Sequence, residues 1–173
     1  FDCSMRDGGY VNNWYFTKEH ARECYNAVKS CGIEYCELGF RRKEHMNGPW
    51  FYTPESLVNE TFGDIVTPEC KLAVMAQMGT FTIDDFVPKS ESLISMVRVL
   101  IAYHCKDKDD SKLDTELIHE TVDMCKRLKE LGYEVSINIG RIDKMSDAHI
   151  QETCEMINDA PIEYFYLADT YGN

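Results

Sequence analysis

The sequence predicts an α/β fold, a (β/α)8 TIM barrel represented by about six βα units, and three observations carry that prediction. Six apolar runs of strand character begin near positions 1, 33, 71, 96, 134 and 162. Amphipathic helical stretches separate most of them, at roughly the 30 residues that a βα unit needs. The strands also finish on polar groups, Arg6 and Asp7, Glu37, Gln77, His104, Asn138 and Asp169, which is the pattern of a barrel's active-site face.

Taken in order, Phe1 to Met5 is the first predicted strand. Thr17 then caps a helix whose Ala21, Cys24, Tyr25 and Val28 recur on one face, and Gly32 stands where such helices stop. Ile33 to Phe40 is the second strand. The long interval that follows holds an Asn47-Gly48-Pro49-Trp50 turn and a helix start at Thr53-Pro54-Glu55. It is expected to fold over the mouth of the barrel, with Trp50, Phe51 and Tyr52 as a water-excluding cover. Lys71 to Gln77 is apolar almost throughout, as a strand buried on both faces is, and Met96 to Tyr103 repeats the pattern. Leu117, Ile118, Val122, Cys125, Leu128 and Leu131 stripe a helix that ends at Gly132. Glu134 to Ile139 is the fifth strand, a helix from about Ser146 turns Ile150, Cys154 and Ile157 inward, and Ile162 to Ala168 is the sixth strand.

Periodicity alone does not separate a barrel from a doubly wound open sheet. The glycine-rich phosphate loops of nucleotide-binding sheets, G-x-G-x-x-G and G-x-x-x-x-G-K-[ST], follow none of the strands. The polar strand ends therefore favour the barrel. The 173 residues make one partial barrel domain, 1–173, and strands seven and eight are expected outside this chain because it stops just after the sixth.

Thirty acidic against eighteen basic residues give a net charge of -12. Such a surface repels phosphate backbones and anionic lipids, which argues against nucleic-acid and membrane partners. No apolar run approaches the roughly 20 residues that cross a bilayer, so the expected location is cytoplasmic. Of the eight cysteines, Cys24, Cys36, Cys125 and Cys154 fall at apolar-periodic positions, as reduced core thiols do.

Phe1-Asp2-Cys3-Ser4-Met5-Arg6-Asp7-Gly8-Gly9-Tyr10, together with Glu34 to Arg41, Gly132 to Asn138 and the late Ala168-Asp169-Thr170-Tyr171-Gly172, resembles the DRE-TIM metallolyases. That superfamily includes hydroxymethylglutaryl-CoA lyase, isopropylmalate synthase and, in the aldolase-like branch this chain resembles most, 4-hydroxy-2-oxovalerate aldolase. The resemblance implies a metal-dependent carbon-carbon lyase or aldolase acting on a small oxo acid, such as a pyruvate precursor, through an enolate. It implies a divalent metal, Mn2+ or Mg2+, held partly by Asp7, whose carboxylate is a hard oxygen ligand. It assigns Arg6 to the oxygen on which enolate charge develops.

Asp169 is expected to face the same cavity, Glu37 to orient Arg6, and Asn138 to hydrogen-bond substrate oxygens. Tyr10, Gln77 and Arg98 complete the expected substrate site. Arg98 lies inside an apolar strand and must be paired if buried, with Glu37 or Asp169 as partner. Gly8 and Gly9 are expected to turn the backbone so that Arg6 and Asp7 point into the mouth.

Two positions depart from the resembled aldolases. Tyr10 stands where they carry a histidine base, and His20, His45, His104, His119 and His149 form no H-x-H metal pair. Two other readings remain open at this point: a non-catalytic barrel-derived module for binding or assembly, and an open-sheet domain for a phosphorylated metabolite. Unpaired edges of an incomplete barrel further predict a homodimer.

Overall fold

The structure is a computed structural model that describes residues 1–44, 46–102, 112–170 and 172. Five strands, β1 (Tyr35–Phe40), β2 (Lys71–Gln77), β3 (Ile94–Ile101), β4 (Glu134–Ile139) and β5 (Tyr164–Leu167), form one sheet among the described residues. All neighbours are parallel and their order follows the chain, β1-β2-β3-β4-β5. A doubly wound sheet reverses its strand order partway; this one does not.

The sheet is also strongly curved. Four steps of about 4.8 Å would set β1 and β5 about 19 Å apart in a flat sheet, yet the Tyr35 and Tyr164 rings lie 6.3 Å apart, centroid to centroid. Across the same hollow Tyr35 Oη donates to Glu134 Oε2 at 3.0 Å. Consecutive order and curvature together exclude the open sheet and give the wall of a βα barrel.

Side-chain alternation along each strand then sorts the residues into two environments. Leu38, Leu72, Val74, Val97, Val99, Val135 and Ile137 belong to the main core with helices α2 (Lys18–Ser30) and α4 (Thr115–Glu130), which contribute Tyr25, Val28, Ile118, Cys125 and Leu128. Tyr35, Ala73 and Met96 form a separate cluster, inside the hollow, where Glu37, Arg98, Ser136 and Asn138 are also buried. The sheet thus divides an apolar outer layer from a polar lumen. No helix among the described residues is long and apolar enough to cross a membrane.

The helix ends expected from sequence form as expected. Thr17 Oγ1 accepts from the His20 N–H and Ser146 Oγ from the His149 N–H, each at 3.2 Å, and Gly32 and Gly132 adopt positive φ. β2 and β4 have the bounds expected, while β1 and β5 are each shorter than the expected runs and β3 starts two residues earlier.

Four expectations require correction. The first predicted strand is reduced to a single parallel bridge, Asp2 to Cys36, and Ser4–Asn12 is helix α1. The cause is local: Asp2 accepts from both the Ser4 N–H and the Ser4 hydroxyl at 3.0 Å, a turn that starts a helix and ends a strand. Gly8 and Gly9 are therefore helical. Gly9 instead makes room for Trp14, whose Nε1 would lie 2.1 Å from an added Cβ.

The aromatic loop is not a cover over the mouth. Trp50 is fully buried, packs against Phe62 of α3 (Glu55–Phe62) and donates Nε1–H to the Phe16 carbonyl at 3.0 Å. Helix α5 (Asp147–Ile157) buries Thr153 and Ile157, which leaves Cys154 exposed rather than in the core.

Candidate active site at the strand ends

Helix α1 runs across the C-terminal ends of the strands and brings Arg6, Asp7 and Tyr10 to a cavity of about 460 Å³. Gln77 closes β2 at the cavity wall, Asn138 of β4 lies in it, and Arg141 borders it just beyond β4. These are the strand ends at which βα barrels carry their chemistry. The helix is held by the Trp14 indole, which donates to the Arg6 carbonyl at 3.0 Å.

From the cavity lining inward the charges form one connected chain. Arg6 bonds Asp7 Oδ1 through Nη1 at 2.5 Å and Glu37 Oε2 through Nε at 3.2 Å. The same Glu37 oxygen accepts from Arg98 Nη1 at 2.7 Å, and Arg98 Nη2 donates to Asn138 Oδ1 at 2.8 Å. Two guanidiniums face two carboxylates, so the chain is neutral. Glu37 is fully buried, a position only such pairing makes tolerable.

Burial by itself would lower the Arg6 pKa, but Glu37 and Asp7 outweigh it and hold the guanidinium above its ordinary value. Arg98 lies against two neighbouring aromatic rings, its Cζ 4.5 Å from the Phe1 centroid and 4.8 Å from that of Tyr166. Burial, reinforced by Glu37, raises the nearby Cys3 thiol to about 11. Cys3 is therefore neutral near pH 7 and no base.

The other expected residues are less tightly bound to this chain. Gln77 presents its amide oxygen to Arg42 Nη2 at 2.8 Å. Tyr10 is 65% exposed, and its ring meets Trp14 edge-on at 4.7 Å. Asp169 is exposed and accepts from the Gly172 N–H at 2.9 Å; it does not border the cavity, although Ala168 and Thr170 on either side of it do. His104 lies outside the described residues.

Two arginines were not anticipated. Arg42 lies over the Phe40 and Phe51 rings at 4.4 and 4.5 Å and fixes Gln77, and burial lowers its pKa. Arg141 borders the cavity from a left-handed backbone conformation, φ 57°. Each follows the end of a strand, β1 or β4, so the rule that found Gln77 and Asn138 reaches them too.

As a cation site the arrangement is partial. Asp7 is a hard oxygen ligand at the cavity mouth with one carboxylate oxygen already on Arg6. The amide oxygens of Asn138 and Gln77 are engaged by Arg98 and Arg42. Asp7 can thus hold one corner of a divalent ion, and a full set of about three protein ligands needs groups beyond these.

No family model matches the chain. The chain is 21% identical over 175 residues to 4-hydroxy-2-oxovalerate aldolase 6 of Rhodococcus jostii, covering 99% of this chain and 46% of that protein. It spans about half the length of this curated relative. Among solved structures, the N-terminal domain of a candidate aldolase from Bacteroides vulgatus superposes with a TM-score of 0.64 at 22% identity, over 94% of this chain and 51% of that one. HMG-CoA lyase from Bacillus subtilis superposes with a TM-score of 0.73 at 14% identity, over 98% of this chain and 57% of that one. The fold is that of these aldolase and lyase barrels.

Proposed function

We propose that this chain carries part of the active site of a carbon-carbon lyase of the aldolase type, which cleaves a small 4-hydroxy-2-oxo acid to pyruvate and an aldehyde. The observation that carries the proposal is the meeting of Arg6, Asp7, Gln77 and Asn138 in one cavity at the C-terminal strand ends, with Arg6 anchored on Glu37. The likeness to an aldolase and to a lyase barrel supports the same reading.

In retro-aldol cleavage the C4 hydroxyl gives its proton to solvent and becomes the aldehyde carbonyl as the bond between C3 and C4 breaks, its electron pair moves toward the 2-oxo group to form an enolate, and C3 then takes a proton from solvent to give pyruvate. Arg6 spends Nε and one Nη1 hydrogen on Glu37 and Asp7, and a guanidinium has five N–H donors. The remaining three are available for the enolate oxygen. Because the Glu37-Arg98-Asn138 chain fixes Arg6 before the reaction, its charge meets the developing oxyanion without reorganisation, an effect worth about 10²- to 10³-fold in rate. A divalent cation held at Asp7, Mn2+ or Mg2+, would supply Lewis-acid polarisation of the substrate oxygens. Tyr10 occupies the mouth where the resembled aldolases place a histidine base, and no other described residue is assigned that role.

The test is pyruvate release from 4-hydroxy-2-oxo acids with and without Mn2+. Metal-dependent turnover that is lost in Asp7→Asn and in Arg6→Ala supports the proposal. Turnover unchanged by either substitution overturns it.

A further inference from the structure

On the opposite face of β1 from Glu37 lies a group of side chains the lyase reading does not use. Asp2, Cys24 and Cys36 bring a carboxylate oxygen and two Sγ atoms within 4.8 Å of one another. We infer that these three residues form a second cation site, of a chemistry distinct from that at Asp7: a thiolate-rich site for Zn2+ or a similarly soft divalent ion.

The three ligands come from three separately fixed pieces of backbone. Asp2 is paired with Cys36 by the parallel bridge, its N–H donating to the Tyr35 carbonyl and its carbonyl accepting from the Glu37 N–H, each at 2.9 Å. Cys36 points outward from β1 and is fully buried. Cys24 reaches it from α2, whose Ala21, Tyr25 and Val28 pack on the sheet. The spacing suits the ion: Zn–S bonds near 2.3 Å in a tetrahedron place two sulfurs about 3.8 Å apart. Asp2 already accepts from Ser4 through both carboxylate oxygens, and each keeps a lone pair.

Soft ligands select soft ions. Two thiolates and one carboxylate suit Zn2+ and disfavour Mg2+ and Mn2+, which prefer all-oxygen sites. Binding would displace both thiol protons, so affinity rises with pH. Asp2 and Cys24 are half-buried, so an ion can reach them from solvent. An ion here would pin the start of the chain to α2 and β1, and with it the turn from which α1 carries Arg6.

The experiment uses the whole chain, reduced and metal-free, titrated with Cd2+ while the ultraviolet thiolate-to-metal charge-transfer band is followed. Zn2+ and Mn2+ serve as competitors. The expected result is one equivalent of Cd2+, displaced by Zn2+ and not by Mn2+. Cys24→Ser should weaken binding by about tenfold or more and Asp2→Asn by less, while Cys154→Ser on α5 leaves it unchanged. Cys36→Ser is at a buried position, so Cys24→Ser carries the test, with circular dichroism confirming its fold. Zn2+ should also raise the thermal midpoint of the parent chain and not that of Cys24→Ser. Absence of the band, or a band and midpoint shift that survive Cys24→Ser, overturns the inference.

Discussion

Arg98 on β3 meets Glu37 on β1 across β2, its Nη1 lying 2.7 Å from Glu37 Oε2. Both side chains are buried in the lumen, so the pair ties non-adjacent strands of the curved sheet. The same carboxylate orients Arg6. Fold and site therefore share one ion pair.

Breaking that pair leaves charge buried without compensation. Glu37→Gln is expected to cost about 3–5 kcal/mol in urea unfolding, because two arginines then face each other across a neutral amide. Glu37→Leu combined with Arg98→Met should cost less than the sum of the single changes. A double variant that is fully additive would mean the two side chains are not coupled.

Gly39→Ala is expected to destabilise the protein by about 1–3 kcal/mol or more. An added Cβ would stand 1.9 Å from the Trp50 carbonyl oxygen and 2.9 Å from Thr53 Oγ1, so the loop after β1 must move. The cost should appear in the denaturation midpoint, accompanied by greater exposure of the Trp50 fluorophore.

Alkaline stability follows from the buried thiols. Burial raises Cys3 from 9.0 to about 11 and Cys125 to about 12. A folded-state pKa above the unfolded one means that the folded protein holds its proton more tightly. This contribution is fully present below pH 9 and is lost as pH rises through the folded-state values. Urea midpoints should fall from pH 9 to pH 11, and Cys3→Ala should flatten that fall.

Some of this was legible in the sequence for physical reasons. Lys71–Gln77 and Glu134–Ile139 are bounded apolar runs, and the structure keeps both bounds. Arg98 inside such a run demanded a buried partner, and Glu37 is that partner. The misreadings arose where a short-range bond or a close approach outweighed the pattern. The Asp2-to-Ser4 hydrogen bonds convert the expected first strand into α1. Trp50 looked like a mouth cover because its loop follows a strand end, but the missing side chain at Gly39 lets that backbone close onto β1 and bury the ring. Cys154 is displaced by one helical position from Thr153, which is buried instead, a difference that apolarity alone cannot register. The chain from Arg6 through Glu37 and Arg98 to Asn138 joins residues up to 132 positions apart, and only the curvature of the sheet assembles it.

The β5 edge gives a prediction about association. Among the described residues β5 pairs with β4 alone, and Tyr164 and Leu167 are 41% and 39% exposed. An uncovered strand edge with apolar side chains invites pairing with a second copy. Sedimentation velocity of this chain should show a concentration-dependent dimer, and Leu167→Lys should shift it toward monomer. A monomer at all concentrations would show that the edge is protected.

Arg141 separates the demands of stability from those of binding. Its φ of 57° is a left-handed conformation, which costs a residue with a side chain about 1 kcal/mol or more. The backbone is held there by its N–H, which donates to Thr170 Oγ1 at 2.8 Å. Glycine would remove the strain but would add conformational entropy to the unfolded chain, about 0.4–1 kcal/mol in the opposite direction. The two effects nearly cancel, so Arg141→Gly should change the unfolding free energy by less than about 1 kcal/mol. The cavity, in contrast, loses a guanidinium suited to a substrate carboxylate. If the substrate is an oxo acid, KM should rise about tenfold or more with kcat little changed, since this contact is equal in the ground and transition states. Arg141→Lys keeps the strain and the charge but loses the planar fork, and should fall between the two. Unchanged KM in Arg141→Gly, with stability raised by more than 1 kcal/mol, would mean that the strain serves the backbone turn at Thr170 and not the substrate.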